Sequence, residues 1–189
     1  MIASRTAVAA AFLAAGVALT PGPAAAQAGF VDEVKLGLLA HDVGFLTHHV
    51  ESGADVNLEI LFTSPSLLRF IGSPRPHIGA DINTAGNTSD GYFGLTWEAS
   101  LQELFGFAPR VFLAGSLGGA VHDGYLTSGA PPGRKLLGSR ILFRESAELG
   151  YRLTPTISVS AILDHISNAN LAPRNAGITS AGARLGFRF

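Results

Sequence analysis

The stretch Ile157-Ser158-Val159-Ser160-Ala161-Ile162-Leu163-Asp164-His165 alternates between two kinds of side chain. One face of the extended chain carries Ile157, Val159, Ala161, Leu163 and His165, and the opposite face carries Ser158, Ser160 and Asp164. Successive side chains of a β-strand point to opposite sides of the sheet. The period of two therefore predicts a strand with one apolar face.

The segments on either side of this strand, at 138–152 and 178–189, repeat the pattern. Apolar residues fill one face of each, and the other faces carry Arg144, Glu148, Arg184 and Arg188. An apolar outer face around small and charged residues is typical of transmembrane β-barrels. A soluble sandwich or a lipocalin-like barrel shows the same period with its apolar face inward. The charged residues favour the membrane barrel, because they can pair in a polar interior.

Turn residues divide the chain into alternating segments, which we place at 33–43, 54–62, 75–83, 91–102, 110–122, 138–152, 157–165 and 178–189. We therefore predict an all-β fold, an eight-stranded antiparallel transmembrane β-barrel of the outer-membrane type. No segment is convincing as a helix, although Leu67–Ile71 could form a helical turn. A barrel of this size is filled by its side chains, so its function belongs to the loops or the outer wall.

Residues 1–28 have the three parts of a secretory signal peptide. Arg5 is their one charge, an apolar run extends from Ala7 to Leu19, and a small-residue cleavage site surrounds Ala26. We expect residues 29–189 to form the barrel domain of the exported chain. The net charge of −1 and the absence of a basic run argue against a nucleic-acid partner, and without cysteine no thiol can be catalytic.

A possible catalytic pair lies at the end of the strand from 157 to 165. His165 and Ser167 are two residues apart and would share a face, so the imidazole could deprotonate the hydroxyl as a serine hydrolase requires. From the spacing alone, an interfacial histidine followed by an ordinary Ser-Asn-Ala-Asn loop is the favoured interpretation, because a lone His-x-Ser is common.

The longer sequence around this pair is more specific. Leu163-Asp164-His165-Ile166-Ser167-Asn168-Ala169-Asn170-Leu171, followed by Asn175-Ala176-Gly177-Ile178 and a last strand ending at Phe189, resembles the lipid A 3-O-deacylase family (PagL, acyloxyacyl hydrolase). The resemblance covers roughly 137–189, including Phe143–Arg152. Members of this family are eight-stranded outer-membrane barrels.

The resemblance implies hydrolysis of the acyl chain that is ester-linked at the 3-position of lipid A, without metal or cofactor. Ser167 would be the nucleophile and His165 the general base. Asn168, with backbone N–H groups nearby, would be a candidate to stabilise the oxyanion, with Asn175 and Gly177 in the neighbouring substrate-facing element. The expected partners are lipopolysaccharide and outer-membrane lipids, with a homodimer as a further possibility.

One position departs from the family pattern. The family has an acidic residue after the Asn-x-Gly-Ile element, where this chain has Thr179. A threonine hydroxyl can bond to the imidazole but cannot stabilise imidazolium as a carboxylate does. A site that has lost its activity is therefore an alternative.

A substitute acid is available on the preceding strand. If Thr154–Thr156 forms a three-residue hairpin loop, Glu145 lies opposite His165 on the same face. We hypothesise that Glu145 orients His165. The alternative is that Glu145 merely reaches the polar headgroup zone.

Two further groups of residues invite interpretation. His41, Asp42, His48, His49 and Glu51 cluster in the first loop, but without the fixed spacing of a metal motif they are expected to form a solvated loop. Tyr92 and Trp97 are expected in an interfacial aromatic girdle.

The sequence thus predicts a lipid A 3-O-deacylase-like esterase in the outer membrane. The competing hypotheses are a non-enzymatic small barrel, structural or adhesive, and a soluble periplasmic lipocalin-like binder.

Overall fold

The computed structural model describes residues 29–189, in which eight strands form one closed antiparallel barrel. Each strand pairs with its neighbour in the sequence, and the first pairs with the last. The strands are β1 (Val31–Ala40), β2 (Ala54–Phe62), β3 (Arg75–Asn83), β4 (Asp90–Ser100), β5 (Val111–His122), β6 (Ile141–Arg152), β7 (Ile157–Ser167) and β8 (Ile178–Arg188). The predicted fold class is confirmed, whereas the predicted signal peptide lies outside the described residues.

The predicted strands differ from the observed ones mainly at one end of the barrel. Strand β1 ends at Ala40 rather than at residue 43, because Asp42 turns the chain with a φ of 50°. Strand β7 continues to Ser167, two residues beyond its predicted end. His165 and Ser167 consequently belong to the same strand.

Two short helices lie in the connections at the other end. A 3₁₀ helix at Ser66–Ile71 agrees with the predicted helical turn. Helix α1 (Leu101–Phe105) was not predicted, although Ser100 and Glu103 form the capping box that marks a helix start. Within the described part of the chain, no helix has the length and hydropathy needed to span a membrane.

Ion pairs fill the barrel interior. Lys35 Nζ lies 2.8 Å from Glu148 Oε2, and Arg184 pairs with the same carboxylate. Arg144 pairs with Asp164, as expected if Asp164 faces inward. The predicted polar interior is confirmed, and its pairing satisfies charges that would otherwise be costly to bury.

The outer wall is apolar, and many of its large side chains are exposed. Trp97 lies on this wall, where its indole N–H donates to the carbonyl oxygen of Ile71 at 2.7 Å. Tyr92 does not lie on this wall, so its assignment to an interfacial girdle was wrong. Its buried ring stacks under Arg144, 3.6 Å from the guanidinium carbon.

The longer connections meet at the end of the barrel where β7 finishes. We call them L1 (41–53), L2 (84–89), L3 (123–140) and L4 (168–177), and we call this end the loop end. L3 folds back on itself, with Leu137 N–H donating to Tyr125 O at 2.9 Å. L1, L3 and L4 make contacts around the end of β7, so they determine the environment of His165 and Ser167.

Candidate active site

His165 and Ser167 lie on the outer face of β7 at the loop end. In the sheet register, His165 is opposite Glu145 on β6 and opposite Thr179 on β8, while Ser167 is opposite Phe143. Residues directly opposite in an antiparallel pair share a face. The strand pairing thus brings His165, Thr179 and Glu145 into one row across three strands, with Ser167 one step nearer the loops.

The imidazole of His165 is fixed from one side by Thr179. His165 Nδ1 lies 2.8 Å from Thr179 Oγ1, and the two side chains are buried. If Nδ1 carries the proton and donates it to this hydroxyl, Nε2 keeps the lone pair that a general base needs. Thr179 therefore holds the ring by a hydrogen bond.

Gly177 packs against the same ring. Its φ is +44°, in the left-handed region that side chains disfavour. A Cβ at this position would lie 3.2 Å from His165 Cε1 and 3.0 Å from Thr47 Cγ2. The absence of a side chain allows L1 and L4 to close over the imidazole, which is 9% exposed although it faces outward.

Glu145 occupies the position that the hairpin pairing predicts, directly across from His165. Its side chain is exposed on the outer wall. Nδ1 of His165, however, contacts Thr179 rather than this carboxylate. Glu145 therefore shares the face of His165, while the observed hydrogen bond to the imidazole comes from β8.

The side-chain amide of Asn168, a predicted stabiliser of the oxyanion, donates to backbone carbonyl groups instead. Its Nδ2 donates to Leu137 O at 2.8 Å and to Arg174 O at 2.5 Å. Its backbone N–H donates to Asn175 Oδ1 at 3.0 Å. The bond to Leu137 O ties L4 to L3, and the other two hold L4 together from within.

Asn175 shapes the turn that follows Ser167. Besides accepting from Asn168, it donates from Nδ2 to Asn170 Oδ1 at 3.1 Å. Ala169 and Asn170 adopt φ of 51° and 62° and are exposed. Their backbone N–H groups are the candidate oxyanion donors next to Ser167.

The expectation that the first loop is a solvated cluster was wrong for His41, Asp42 and Glu51, which are buried. His41 lies between two carboxylates, with Nδ1 2.8 Å from Asp55 Oδ2 and Nε2 3.3 Å from Glu51 Oε2. Only His48 and His49 of that group are exposed. L1 is therefore held in a defined conformation over the loop end by buried, hydrogen-bonded side chains.

The two carboxylates change the protonation of this histidine. Burial alone would lower the pKa of His41, but the hydrogen bonds with Asp55 and Glu51 raise it to about 9. Burial opposes ionisation of Glu51 as well, yet its contacts with His41 and two backbone N–H groups hold its pKa well below the usual range. His41 is consequently a cation in the folded protein at neutral pH.

Lys135 is the residue at this site that the sequence did not reveal. Its ammonium group lies 2.5 Å from Asp42 Oδ1, 3.0 Å from Thr47 Oγ1 and 2.7 Å from Gly177 O. A lysine in a glycine- and proline-rich loop is ordinarily solvated, and no local pattern distinguishes one that is 3% exposed. Only the folded arrangement of L1, L3 and L4 brings these groups together.

Within residues 29–189, no group of three or more His, Cys, Asp or Glu side chains is arranged to hold a metal ion.

Comparison with solved structures agrees with the barrel fold. The crystal structure of the outer membrane enzyme PagL matches with a TM-score of 0.62 and 19% identity, covering 83% of this chain and 99% of that one. Neisserial surface protein A and the Yersinia pestis outer membrane protein Ail match at 13% and 14% identity, with TM-scores of 0.49 and 0.46. Their coverage is 83% and 85% of this chain and 96% and 100% of theirs. No curated protein matches this sequence.

The comparison by sequence family is more specific than the comparison by fold. The model of the family described as "Lipid A 3-O-deacylase (PagL)" matches residues 72–188, from the residue after the 3₁₀ helix to the end of β8. This region includes His165, Ser167 and Thr179. The chain is an outer-membrane β-barrel that belongs to the lipid A 3-O-deacylase (PagL) family.

Proposed function

We propose that this protein is an esterase that removes the acyl chain ester-linked at the 3-position of lipid A, in the outer leaflet, by a Ser-His mechanism. The observation that carries the proposal is the placement of His165 and Ser167 together on the outer wall at the loop end. Acyl chains of membrane lipids lie against that wall. A nucleophile there can reach a lipid ester without a deep pocket.

In the first step, Ser167 Oγ attacks the carbonyl carbon of the ester while His165 Nε2 takes the hydroxyl proton. The C–O bond between the acyl carbonyl and the sugar oxygen then breaks, and the imidazolium returns the proton to the leaving 3-hydroxyl. The products of this step are the acyl-serine and the 3-hydroxyl sugar. Water, deprotonated by the same histidine, then releases the fatty acid and restores Ser167.

The tetrahedral intermediate needs hydrogen-bond donors for its oxyanion. Asn168 is committed to carbonyl groups of L3 and L4, so we assign this role first to the backbone N–H groups of Ala169 and Asn170. Asn168 and Asn175 then hold the turn that presents these groups. Gly177 leaves the space that the closed loops require.

Thr179 and Glu145 share the task that the family gives to one acid. Thr179 Oγ1 fixes the ring orientation through Nδ1, and the Glu145 carboxylate on the adjacent strand supplies negative charge beside the imidazolium as it forms. Thr179 is fully buried and Glu145 lies on the apolar outer wall, and a charge acts more strongly in such surroundings than in bulk water. We further propose that the loop end faces outward and that residues 1–28 direct export.

One observation favours a second candidate, a barrel that keeps the family scaffold without activity. The partner of His165 Nδ1 is a neutral hydroxyl rather than a carboxylate. Removing the acid's charge in a serine protease costs about 10⁴ in kcat. A protein of this kind would act through its loops, in structure or adhesion.

Mass spectrometry of lipid A decides between the two candidates. Purified protein in detergent is incubated with hexa-acylated lipid A, and the variants Ser167→Ala and His165→Ala are treated identically. The esterase releases one 3-linked acyl chain with wild-type protein and none with either variant. Intact lipid A in every sample, with the barrel folded, supports the inactive scaffold.

A further inference from the structure

The buried ammonium group of Lys135 connects three loops of the loop end. It bonds to Asp42 and Thr47 in L1 and to the carbonyl oxygen of Gly177 in L4. Lys135 itself belongs to L3. Three donors meet three acceptors, so the ammonium group is saturated and its position is fixed.

Asp42 is equally constrained. Its Oδ2 accepts the backbone N–H groups of Val50 at 2.7 Å and Glu51 at 3.0 Å, while its Oδ1 faces Lys135. It is fully buried and holds a positive φ, a conformation that persists only when surrounding contacts determine it. The Lys135–Asp42 ion pair is thus a rigid joint between L1 and L3.

The Lys135–Asp42 ion pair is connected to His165 through the segment from Gly177 to Thr179. Lys135 holds Gly177 O, and Val43 of L1 donates its N–H to Thr179 O at 2.7 Å. The segment from Gly177 to Thr179 is therefore fixed at each end. Gly177 packs on the imidazole of His165, and Thr179 bonds its Nδ1.

We propose that the Lys135–Asp42 ion pair is a positioning device for His165, which holds Gly177 and Thr179 against the imidazole so that Nε2 faces Ser167. The inference rests on the proposed function in that it takes His165 as the general base. Lys135 and Asp42 touch no substrate atom. They act only through the backbone of L4, and because their charges neutralise each other they add no net charge beside the imidazolium.

The test compares Lys135→Met and Asp42→Asn with Arg134→Met as the matched control. Arg134 is the neighbouring cation of L3 and also ties loops together, through Glu51 Oε1 at 3.1 Å and Gly86 O at 3.1 Å. Misplacing a catalytic group by about 1 Å costs on the order of 10²-fold. We expect kcat to fall by about 10-fold to 100-fold in the first two variants with little change in KM, and both constants to stay near wild type in the control.

A spectroscopic measurement separates positioning from mere loop stability. In protein labelled with ¹⁵N-histidine, the His165 ring is assigned by its loss in His165→Ala. Wild type should give the signals of one tautomer with Nδ1 protonated, and Lys135→Met should give a mixture of tautomers. Unchanged His165 signals in Lys135→Met, or an equal loss of kcat in Arg134→Met, would overturn the proposal.

Two further comparisons keep the test decisive. If Lys135→Met does not fold, Thr47→Val removes one acceptor of the ammonium group at nearly constant volume, and it should shift the same ring signals in the same direction but less far. If wild-type protein hydrolyses no lipid A, the proposed function fails while the ring signals still decide whether Lys135 and Asp42 position His165.

Discussion

His165 Nδ1 and Thr179 Oγ1 lie 2.8 Å apart across the β7–β8 pair, at a position where the strand register places the two residues directly opposite each other. The hydrogen bond therefore follows from the sheet itself rather than from a flexible loop. A hydroxyl at this point can orient the imidazole, although it cannot carry the negative charge that stabilises imidazolium.

Replacing Thr179 tests what this bond contributes. Thr179→Val keeps the shape of the side chain and removes the hydroxyl, so kcat should fall about tenfold, the value of one hydrogen bond of ordinary strength. Thr179→Ser retains the hydroxyl and should stay close to wild type. Equal rates for the valine and serine variants in a lipid A deacylation assay would remove Thr179 from the mechanism.

Introducing an acid at the same position tests the effect of charge. Thr179→Asp should raise kcat by about tenfold or more, because a carboxylate at Nδ1 stabilises the imidazolium that forms as Ser167 attacks. The assay should be run beside Thr179→Asn, which is of similar size and uncharged. A gain in both variants would mean that size or hydrogen bonding, rather than charge, limits the wild-type site.

Glu145 can be examined by removing only its charge. Glu145→Gln should lower kcat about tenfold, by the loss of one unit of charge near the imidazolium, and Glu145→Asp should preserve most of the activity. The register that places Glu145 opposite His165 predicts this effect without any direct hydrogen bond. Full activity in the glutamine variant would assign Glu145 to the headgroup zone alone.

Gly177 should tolerate no side chain. Gly177→Ala introduces a Cβ 3.2 Å from His165 Cε1 at a positive φ, so we expect kcat to fall on the order of 10²-fold through displacement of the ring. Gly115→Ala is the matched control, because its nearest contact would be Ser146 O at 3.9 Å. Both variants should keep the heat-modifiable gel mobility of a folded barrel, and comparable losses of kcat would contradict the packing argument.

The stability of the loop end should depend on pH through His41. Its pKa in the folded protein is about 9, above the value of about 6.5 for an unperturbed histidine. The stabilisation is therefore fully present below about pH 6.5 and is lost as the pH rises through about 9. At full strength it amounts to about 3 kcal/mol as an upper bound.

Unfolding in detergent at a series of pH values measures this effect. Wild-type protein should lose stability between pH 7 and about pH 10, whereas His41→Gln should be less stable at neutral pH and nearly insensitive over the same range. Parallel pH profiles for the two proteins would show that another group is responsible.

The barrel could be predicted from the sequence because its signal is local. A period of two within each segment decides which residues face lipid, and Glu145 and His165 could be paired simply by counting back from the hairpin at Thr154–Thr156. The same alternation corrects the assignment of Tyr92 to the aromatic girdle of the outer wall. Tyr92 and Trp97 are five residues apart on one strand, so alternation places them on opposite faces.

The loop end could not be predicted in the same way. Lys135 and Asp42 are 93 residues apart, and nothing near either residue indicates that they are buried together. Asn168 was assigned to the oxyanion from the family motif, but the motif does not show that L3 supplies a carbonyl group for its amide. Contacts between loops that are distant in sequence leave no periodic pattern in the sequence. In this protein such contacts position the residues of the candidate site.

The most direct test of the central claim is covalent labelling with a long-chain alkyl fluorophosphonate, which reacts only with an activated serine. We expect one adduct, on the peptide that contains Ser167, in wild-type protein and none in Ser167→Ala or His165→Ala. Labelling of Ser167 that is equally fast in His165→Ala, or no labelling of wild-type protein that is folded, would contradict the assignment of Ser167 and His165 as nucleophile and base.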